Sequence, residues 1–467
     1  MAQTAPHIAV IPSPGLSHLI SLREFARRLV RRFHFSITII VPTNGPSSKA
    51  QAAFLESLPS AISHLLLPAV SLADLPPSAG LETRISVTMA RSLPFLYEAL
   101  KSLAASTKLA ALLVDLFGAD TFDMARELGV PPYMYYLSTA MSLSLFFDLP
   151  TLDKTVSCEF RELTEPVQIP GCIPIHGKDL FYSIQDRKSE AYKWCLQQPE
   201  RYAMAEGIII NTSTALEPGP IKAWQQQPGK PRLYPVGPII QMEPDDKNCG
   251  QTECLNWLDN QPTGSVLFVS FGSGGRLSHE QITELALGLE FSEQRFLWVA
   301  RPPDNLAGGG YFTVETQSQP LSFLPEGFVE RTKCRSLVIP TWAPQIQVLR
   351  HESTGGFLTH CGWNSIIENI LHGNGLPFVA WPLFAEQNMN AALVTDDLKV
   401  ALRPESGEAD GVVGREEIAR VVKRVMVGEE AKAFRRRMRE LKSSALKSLS
   451  EDGDSTKALC EVADNWF

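Results

Sequence analysis

The stretch HIAVIPSPGLSHLISLREFARRLVRRFHFSITIIV, residues 7–41, decides the fold class. It opens with the apolar run His7–Ile11, which predicts a buried strand, and the turn residues Pro12–Gly15 end that strand. A helical pattern of apolar residues follows, and a second apolar run, Phe35–Val41, predicts the next strand. The order strand, helix, strand is typical of a βαβ unit and indicates the start of a parallel sheet.

The same alternation continues along the rest of the chain and divides it in two. The 467 residues, of which 44% are hydrophobic, exceed what one ordinary core accommodates and predict two domains. A polar stretch at 241–254 predicts a linker, so we expect doubly wound α/β domains at 1–240 and 255–445. Ligands of such sheets bind outside the carboxyl ends of the strands. Further strands are predicted at 109–114, 207–210, 265–271, 296–299, 337–339, 357–358 and 378–380.

Charge, cysteine spacing and hydropathy narrow the possible partners and the compartment. The formal net charge of −8 argues against nucleic acid or an anionic membrane as the main partner. The eight cysteines are scattered and none forms a CxxC pair, a pattern typical of reduced thiols in a cytosolic protein. Residues 1–7 contain no Lys or Arg, and no uninterrupted apolar run is long enough to span a bilayer. We therefore expect a cytoplasmic protein without membrane insertion.

Two polar residues follow predicted strands at their carboxyl ends. His18 lies after the first strand, and Asp115 comes directly after the strand that ends at Val114. A neutral imidazole can take a proton from an acceptor hydroxyl, while a carboxylate holds the ring tautomer and stabilises the imidazolium that forms. The pair therefore predicts a general base with an acidic partner. From spacing alone, capping of a helix by His18 and of a turn by Asp115 is the simpler alternative.

A denser group of polar and aromatic residues extends from Trp342 to Gln387. Within it, residues 355–365 predict a turn, a strand, a glycine turn and a helix that starts near Ser365. The amides and the positive dipole end of that helix would face an anion such as a diphosphate. Glu368, one turn further on, can accept hydrogen bonds from two ribose hydroxyls, and Trp342 offers a flat face for a nucleobase.

This run from Trp342 to Gln387 resembles the signature box of the plant family-1 UDP-glycosyltransferases, and the likeness covers nearly the whole chain. Segments 157–166, 170–179 and 265–275 resemble the hydroquinone (arbutin) glucosyltransferase branch. The resemblance implies a GT-B fold, in which two Rossmann-like domains face a central cleft and residues 446–467 form a C-terminal helix packed back on the first domain. It also implies a monomer of plant specialised metabolism that transfers glucose from UDP-glucose, a co-substrate, to a small phenol without a cofactor or a metal.

Carried over residue by residue, the resemblance gives each candidate a role. His18 would be the general base and Asp115 its partner. The expected UDP-sugar-binding residues are Trp342, Ala343 and Gln345 for uracil, Glu368 for ribose, Ser273, His360, Asn364 and Ser365 for the diphosphate, and Glu386 and Gln387 for the sugar. The expected acceptor-binding residues are Glu82, Ile85, Leu116, Phe117, Phe146 and Tyr311.

The chain departs from the family pattern at several positions. Ser17 stands where relatives usually have Gly, Ser21 where they usually have Pro, and Ile366 where they have Thr or a small variant. The box from Trp342 to Gln387 spans 46 residues, two more than usual, and the extra pair is Asn374–Gly375. Because the extra pair precedes Glu386 and Gln387, it can shift the positions of these two expected sugar-binding residues.

Two other functions suit parts of the pattern. One is a catalytically impaired nucleotide-sugar-binding protein of the same fold, which would be consistent with Ser17 and the longer box. The presence of both His18 and Asp115 argues against it. The other is a nicotinamide oxidoreductase, but the turn Gly272–Gly275 lacks the GxGxxG spacing. Residues 452–454 spell a metal-binding DxD motif of another transferase class, although their position favours a turn with a helix cap. The physiological acceptor, and the use of nitrogen or sulfur nucleophiles, stay open.

Overall fold

The computed structural model describes residues 6–46, 49–76, 79–242, 253–303, 321–340, 342–407 and 411–467. The chain divides into two compact units. The first consists of Met1–Lys178, Ser183–Ile240 and Lys447–Phe467, and the second of Asp179–Tyr182 and Gln241–Leu446. Most of the predicted linker at 241–254 and the acceptor candidate Tyr311 lie outside the described residues.

The first unit is built on a parallel sheet. Within the described residues its seven strands are β1 (His7–Ile11), β2 (Ser36–Val41), β3 (Ile62–Leu66), β4 (Leu109–Val114), β5 (Pro132–Tyr136), β6 (Gly207–Ile210) and β7 (Arg232–Pro235), in the order β3-β2-β1-β4-β5-β6-β7. Its helices are α1 (Leu16–Phe33), α2 (Lys49–Glu56), α3 (Leu81–Ser106), α4 (Phe122–Glu127), α5 (Ala140–Thr155), α6 (Glu190–Tyr202) and α7 (Pro218–Gln225).

The second unit repeats this architecture. Its described strands are β8 (Val266–Ser270), β9 (Arg295–Val299), β10 (Ser336–Ile339), β11 (Thr354–Thr359), β12 (Phe378–Ala380) and β13 (Ala401–Leu402), in the order β10-β9-β8-β11-β12-β13. Its helices are α8 (Glu253–Asp259), α9 (His279–Ser292), α10 (Phe328–Thr332), α11 (Gln345–Arg350), α12 (Trp363–His372), α13 (Gln387–Ala392), α14 (Arg415–Val427) and α15 (Glu429–Ser448). The last helix, α16 (Asp454–Asp464), belongs to the first unit.

Apolar residues explain why these segments form the cores. All five residues of β1 are buried, as expected for a central parallel strand that is covered on both faces. Leu22 and Phe25 of α1 lie in the same apolar cluster as β1, so one face of this helix covers the sheet. Val462 and Trp466, at the end of the chain, join that cluster. Residues 447–467 therefore complete the core of the first unit.

Each sheet has one place where the strand order reverses, and this positions the candidate residues. In the first unit β1 and β4 are neighbours with Ile11 opposite Val114, so the residues that follow these two strands meet. In the second unit β8 and β11 are neighbours with Ser270 opposite Thr359. Such switch points open a crevice at the carboxyl edge of a parallel sheet, which is where ligands bind.

The predicted fold class, two Rossmann-like doubly wound domains, is confirmed, while several strand predictions need correction. The second strand begins at Ser36, one residue later than predicted. The strands β3, β5, β7 and β13 were not predicted. In β3, an edge strand, four of the five residues are exposed, and β13 has only two residues, so neither shows a buried apolar run. The strand β5 begins with Pro132, a residue that argues against a strand in sequence.

Candidate active site

His18 and Asp115 are brought together at the switch point of the first sheet. Asp115 is the first residue after β4, and His18 lies in the first turn of α1. The imidazole Nδ1 lies 2.8 Å from Asp115 Oδ2. The Asp115 carboxylate is fully buried, and the His18 side chain is 19% exposed. The two residues therefore form a hydrogen-bonded pair and not two separate caps, the simpler alternative from the sequence.

Backbone and side-chain donors surround the buried carboxylate. The Ser13 amide and hydroxyl each donate to Asp115 Oδ2 at 2.6 Å, and the Phe117 amide donates to Oδ1 at 3.1 Å. Because Asp115 can only accept when ionised, the proton between it and His18 sits on Nδ1. The other ring nitrogen, Nε2, then carries the lone pair that a general base needs.

An aromatic wall adjoins this pair. The Phe117 ring centroid lies 6.2 Å from that of His18, and the Phe117 ring stacks on Trp194 at 4.8 Å. Phe146 meets the edge of Trp194 at 6.4 Å. The structure thus places the predicted acceptor residues Phe117 and Phe146 in one aromatic group beside His18. Such a group offers flat apolar surface to an aromatic ligand.

Other acceptor candidates connect to α6, the helix that carries Trp194. The carbonyl oxygen of Leu116 accepts a hydrogen bond from the Tyr202 hydroxyl at 2.9 Å. Glu82 lies in the first turn of α3, and Ile85, one turn on, is buried. Burial raises the pKa of the Cys195 thiol in α6 to about 12, and the Glu82 carboxylate adds to that rise. Helix α3, which carries Glu82, packs against α6.

On the second unit, His360 directly follows β11 and lies against the turn after β8. A Cβ on Gly272 of that turn would lie 2.5 Å from Cε1 of His360, so glycine is required there. Desolvation and the positive charge of Arg301 lower the pKa of His360 to about 4. The ring is therefore neutral at pH 7 and can donate one hydrogen bond to an anion. Arg301 also donates to the carbonyl oxygen of Ser273, which is exposed in the same turn.

Helix α12 presents its N-terminus next to His360. It begins at Trp363, two residues earlier than predicted, because Gly362 is extended and the helix starts directly after it. Asn364 and Ser365 consequently both lie in the first turn. Asn364 Oδ1 is buried and has no hydrogen-bond partner among the described residues. A buried polar atom without a hydrogen bond lowers the stability of the fold, and a hydrogen bond from a bound polar ligand would compensate for that loss.

Glu368 lies one turn further along α12 and is paired with Gln345. The Gln345 amide donates to Glu368 Oε2 at 2.6 Å and to Ser365 Oγ at 3.2 Å. Desolvation raises the pKa of Glu368 to about 7, and the hydrogen bond from Gln345 opposes that rise. Trp342 is 59% exposed, so its ring can stack on a base, whereas Ala343 is buried. The structure thus brings three of the predicted UDP-binding residues, Gln345, Ser365 and Glu368, into one hydrogen-bonded group.

Glu386 and Gln387 lie at the start of α13. Gln387 Oε1 accepts hydrogen bonds from two backbone amides of the preceding loop, at 2.9 and 3.1 Å. The side-chain oxygen of Gln387 is therefore engaged by the protein's own backbone. The Asn390 amide donates to Glu386 Oε1 at 3.3 Å and to the carbonyl oxygen of Cys361 at 3.0 Å. These bonds tie the start of α13 to the residue after His360.

Metal-binding clusters and membrane-spanning helices are both absent from the described ranges. No group of three or more His, Cys, Asp or Glu side chains in those ranges is placed to hold a metal ion. None of the helices there is long and apolar enough to cross a membrane. Asp454 of the DxD run is the first residue of α16, and the Thr214 hydroxyl donates to its Oδ2 at 3.4 Å. The run therefore leads into a helix start, as its position in sequence indicated.

Comparison with known proteins identifies the family. Residues 240–403 match the family model for UDP-glucoronosyl and UDP-glucosyl transferase. Hydroquinone glucosyltransferase of Rauvolfia serpentina is 58% identical over 463 residues, which cover 99% of this chain and 98% of that protein. UDP-glycosyltransferase 72B1 of Arabidopsis thaliana is 56% identical over 465 residues, or 99% and 96% of the two chains. The chain belongs to the plant family-1 UDP-glycosyltransferases.

Solved structures support the same assignment for the fold of this UDP-glycosyltransferase. Phytolacca americana UGT2, complexed with UDP-2fluoro-glucose and pterostilbene, matches with a TM-score of 0.90 at 53% identity, covering 99% of this chain and 100% of that one. A Polygonum tinctorium UDP-glucosyltransferase capable of glucosylating indoxyl, in complex with 3,4-dichloroaniline, matches with a TM-score of 0.91 at 53% identity, covering 100% and 99%. The predicted GT-B family assignment is confirmed.

The pair Asn374–Gly375, which the resemblance predicts to be an insertion, lies in the loop between α12 and β12. Asn374 Nδ2 donates to the carbonyl oxygen of Arg350 at 3.2 Å, and Lys442 Nζ donates to that of Gly373 at 3.1 Å. The register between β12 and β11 is continuous over all three residues of β12. The extra residues therefore leave the pairing of the following strand intact.

Three residues near the candidate sites were missed in the sequence. Ser13 belongs to a run that predicts only the end of a strand. Trp194 occupies a helix, where an aromatic residue is more often part of a core. Arg301 follows β9 without any motif around it. Their positions after strands β1 and β9 were the available signal for Ser13 and Arg301, and the sequence carried none for Trp194.

Proposed function

We propose that this UDP-glycosyltransferase is an inverting glucosyltransferase that moves glucose from UDP-glucose to the hydroxyl of a small phenol. The observation that carries the proposal is the hydrogen bond between His18 Nδ1 and the fully buried Asp115 carboxylate. That bond leaves Nε2 as the basic nitrogen, and the aromatic wall of Phe117 and Trp194 lies beside it.

In the proposed reaction the phenolic proton passes to His18 Nε2 while the phenolic oxygen attacks the anomeric carbon. The bond between that carbon and the diphosphate oxygen breaks, and UDP leaves with the electron pair. Attack from the face opposite UDP converts an α-linked donor into a β-glucoside. Asp115 accepts from Nδ1–H throughout and stabilises the imidazolium that forms.

We propose that the donor side binds UDP-glucose through the second unit. The neutral His360 ring, the first turn of α12 and the Ser273 turn with Arg301 together supply donors to a diphosphate. Trp342 stacks on uracil, and Glu368 accepts from the ribose hydroxyls. Glu386 and Gln387 bind hydroxyls of the sugar. These donors stabilise the charge that develops on the leaving UDP.

We expect transfer to proceed without an added divalent metal, since the proposed donors and the helix end can neutralise the leaving group themselves. Turnover measured with EDTA should equal turnover without it. A loss of activity in EDTA that magnesium or manganese restores would contradict this expectation. A matched assay with the zinc-loaded chelator controls for direct effects of EDTA on the protein.

The acceptor class rests on the aromatic wall and on the relatives. Relatives include a hydroquinone glucosyltransferase, and the similar solved structures hold pterostilbene or 3,4-dichloroaniline. Flat aromatic acceptors suit the stacked rings of Phe117 and Trp194. We therefore propose phenols as the main acceptors and treat anilines and thiophenols as secondary substrates to be tested.

The test is product analysis by mass spectrometry after incubation with UDP-glucose and a panel of phenols, anilines and thiophenols. We expect a mass gain of one hexosyl group on phenols and, by NMR, a β-anomeric linkage. Folded protein that binds UDP but gives no product with any acceptor would overturn the proposal and favour an inactive sugar-nucleotide-binding protein. The hydrogen-bonded His18–Asp115 pair argues against that alternative.

We also propose that the protein acts in the cytoplasm as a monomer. The described cysteines are all free, which suits a reducing compartment. Fluorescent-fusion imaging tests the compartment, and light scattering after size exclusion tests the oligomeric state. Secretion of the protein would contradict the cytoplasmic location, and a stable dimer would contradict the monomeric state.

A further inference from the structure

Ser13 is bound to both members of the dyad at once. Its hydroxyl donates to Asp115 Oδ2 at 2.6 Å and lies 2.8 Å from His18 Nδ1. A serine hydroxyl has one proton, and that proton is directed to the carboxylate. Toward the imidazole the Ser13 oxygen is therefore an acceptor, so the Nδ1–H group has two acceptors, Asp115 Oδ2 and Ser13 Oγ, each 2.8 Å away.

The surroundings make this hydroxyl hard to replace. Ser13 is 2% exposed and Asp115 is fully buried, so water has little access to either group. A carboxylate without water needs donors from the protein. Asp115 receives them from two backbone amides, the Ser13 hydroxyl and the imidazole. Removing the hydroxyl would remove one of these bonds and leave the imidazole held by a single acceptor.

We propose that Ser13 is a positioning residue for proton abstraction: its hydroxyl orients the His18 ring and completes the bonding of the Asp115 carboxylate. The inference rests on the proposed function, since it concerns the base of that reaction. Ser13 does not touch the reacting atoms. The proton of the acceptor still passes to His18 Nε2, and Ser13 fixes the direction in which Nε2 points.

This role makes a prediction that depends on the acidity of the acceptor. Transfer to a weakly acidic phenol such as hydroquinone needs the base to remove a proton as the oxygen attacks. 4-Nitrophenol in mildly alkaline buffer is already largely ionised and needs no such step. Misplacing a catalytic group by about 1 Å can lower a rate by up to about 100-fold. Ser13→Ala should therefore lower kcat with hydroquinone by about 10- to 100-fold and with 4-nitrophenol by less than about threefold.

The control variant is Ser21→Ala, the same substitution at a serine inside α1, the helix that follows the Ser13 turn. Ser21 is also buried, and its hydroxyl faces Tyr135 Oη at 3.5 Å, not the dyad. We expect it to leave the ratio of the two kcat values unchanged. Ser13→Cys fills the site with a slightly larger thiol, a weaker donor, and should give the same direction of effect as Ser13→Ala. It replaces the alanine variant in the comparison should that variant fail to fold.

The experiment measures kcat for both acceptors in the parent protein and the three variants, together with UDP affinity and melting temperature. A loss confined to hydroquinone, with UDP affinity retained, supports the proposal. Equal losses for both acceptors would show that Ser13 supports only the structure, and unchanged kcat for both would show that its hydroxyl is dispensable. Either result overturns the proposal. Absence of transfer by the parent protein itself would instead refute the proposed function.

Discussion

The two candidate clusters of this UDP-glycosyltransferase differ in how completely the protein satisfies their polar groups. Around the dyad, both oxygens of the fully buried Asp115 carboxylate accept hydrogen bonds from the protein. The second cluster, here called the nucleotide cluster, consists of the predicted UDP-binding residues of the second unit. In it, Asn364 Oδ1 is buried without a partner among the described residues, and the pKa of Glu368 is raised to about 7 by desolvation. Trp342 in that cluster is 59% exposed.

This difference follows from what each cluster must do. A base must keep one tautomer and one orientation before the substrate arrives, so the protein supplies its partners in advance. A nucleotide site gains affinity when the ligand forms hydrogen bonds with buried polar groups that have no partner in the unliganded protein. The desolvation free energy of those groups is then compensated on binding. We therefore expect changes at the dyad to lower turnover, and changes at the nucleotide cluster to lower affinity.

The largest effect is expected for His18→Ala. Loss of the base should lower kcat for phenols by about 10²- to 10⁴-fold, the range that general base catalysis contributes. Affinity for UDP should stay within about twofold, because the proposed UDP-binding residues lie in the other unit. Steady-state kinetics and calorimetry measure the two quantities.

His18→Gln is the matched control, since it keeps a polar side chain of similar size but cannot act as a base. It should be as inactive as the alanine variant. Most of the turnover surviving in either folded variant would mean that another group removes the proton. An equal loss of UDP affinity would contradict the expectation that changes at His18 and Asp115 lower turnover and leave UDP binding intact.

The pair His18 and Asp115 could be predicted from sequence because Asp115 directly follows β4 and His18 lies in the segment after β1, within a recognisable βαβ pattern. The bonds from Ser13 could not, since Ser13 reaches Asp115 only through the pairing of β1 with β4, across 102 residues. The start of α12 was placed two residues late because Gly362 ends the preceding turn sooner than the polar residues suggest. The acceptor roles of Glu82, Ile85, Leu116, Phe117, Phe146 and Tyr311 stay predictions.

A smaller effect is expected for Trp342→Ala. Stacking of a base on an aromatic ring contributes about 1–3 kcal/mol, so UDP affinity should fall by about 5- to 150-fold. Acceptor affinity should change little, because the aromatic wall beside His18 lies in the first unit. Trp342→Phe keeps a flat ring and should retain most of the affinity. Equal weakening of donor and acceptor binding, measured by calorimetry, would contradict the role of a uracil platform.

A further effect concerns pH and Glu368. Its pKa in the unliganded protein is raised from 4.5 to about 7, so the carboxyl is partly protonated near neutral pH. Ribose hydroxyls donate to the ionised form and favour it, so binding should release protons. Uridine affinity should rise as the pH increases from about 5 to 7, by up to about 50-fold, and level off above about pH 8. Uridine is used because its lack of phosphate removes the titration of the ligand itself.

Glu368→Gln provides the control for this linkage. Uridine affinity of the variant should be lower at neutral pH and nearly independent of pH. The sign for folding is opposite to that for binding: a raised pKa contributes stability below pH 4.5 that is lost as the pH rises through about 7. The variant without ligand should therefore gain stability relative to the parent above pH 7. A pH profile for uridine that is the same in parent and variant would contradict the assignment.

The smallest effect is expected for deletion of Asn374 and Gly375, the predicted insertion. Gly375 has a φ of 78°, a conformation that glycine adopts without strain, and the Asn374 side chain donates to the carbonyl oxygen of Arg350. Shortening a loop by two residues changes its closure entropy by well under about 1 kcal/mol. The loss of one exposed hydrogen bond is of similar size. The melting temperature should therefore shift by only a few degrees.

Function should be equally insensitive to the deletion of Asn374 and Gly375. Trp342, His360 and Glu368 all precede the loop, so UDP affinity should be unchanged. The loop leads through β12 to Glu386 and Gln387, but β12 keeps its register with β11, and Asn390 ties Glu386 to Cys361. Turnover with UDP-glucose should stay equal to that of the parent or rise. Asn374→Ser, which keeps the loop length and removes the amide, separates the effect of length from that of the hydrogen bond. If the deletion variant folds and binds UDP normally but turns over much more slowly, while Asn374→Ser does not, the length of this loop sets the position of the sugar-binding residues.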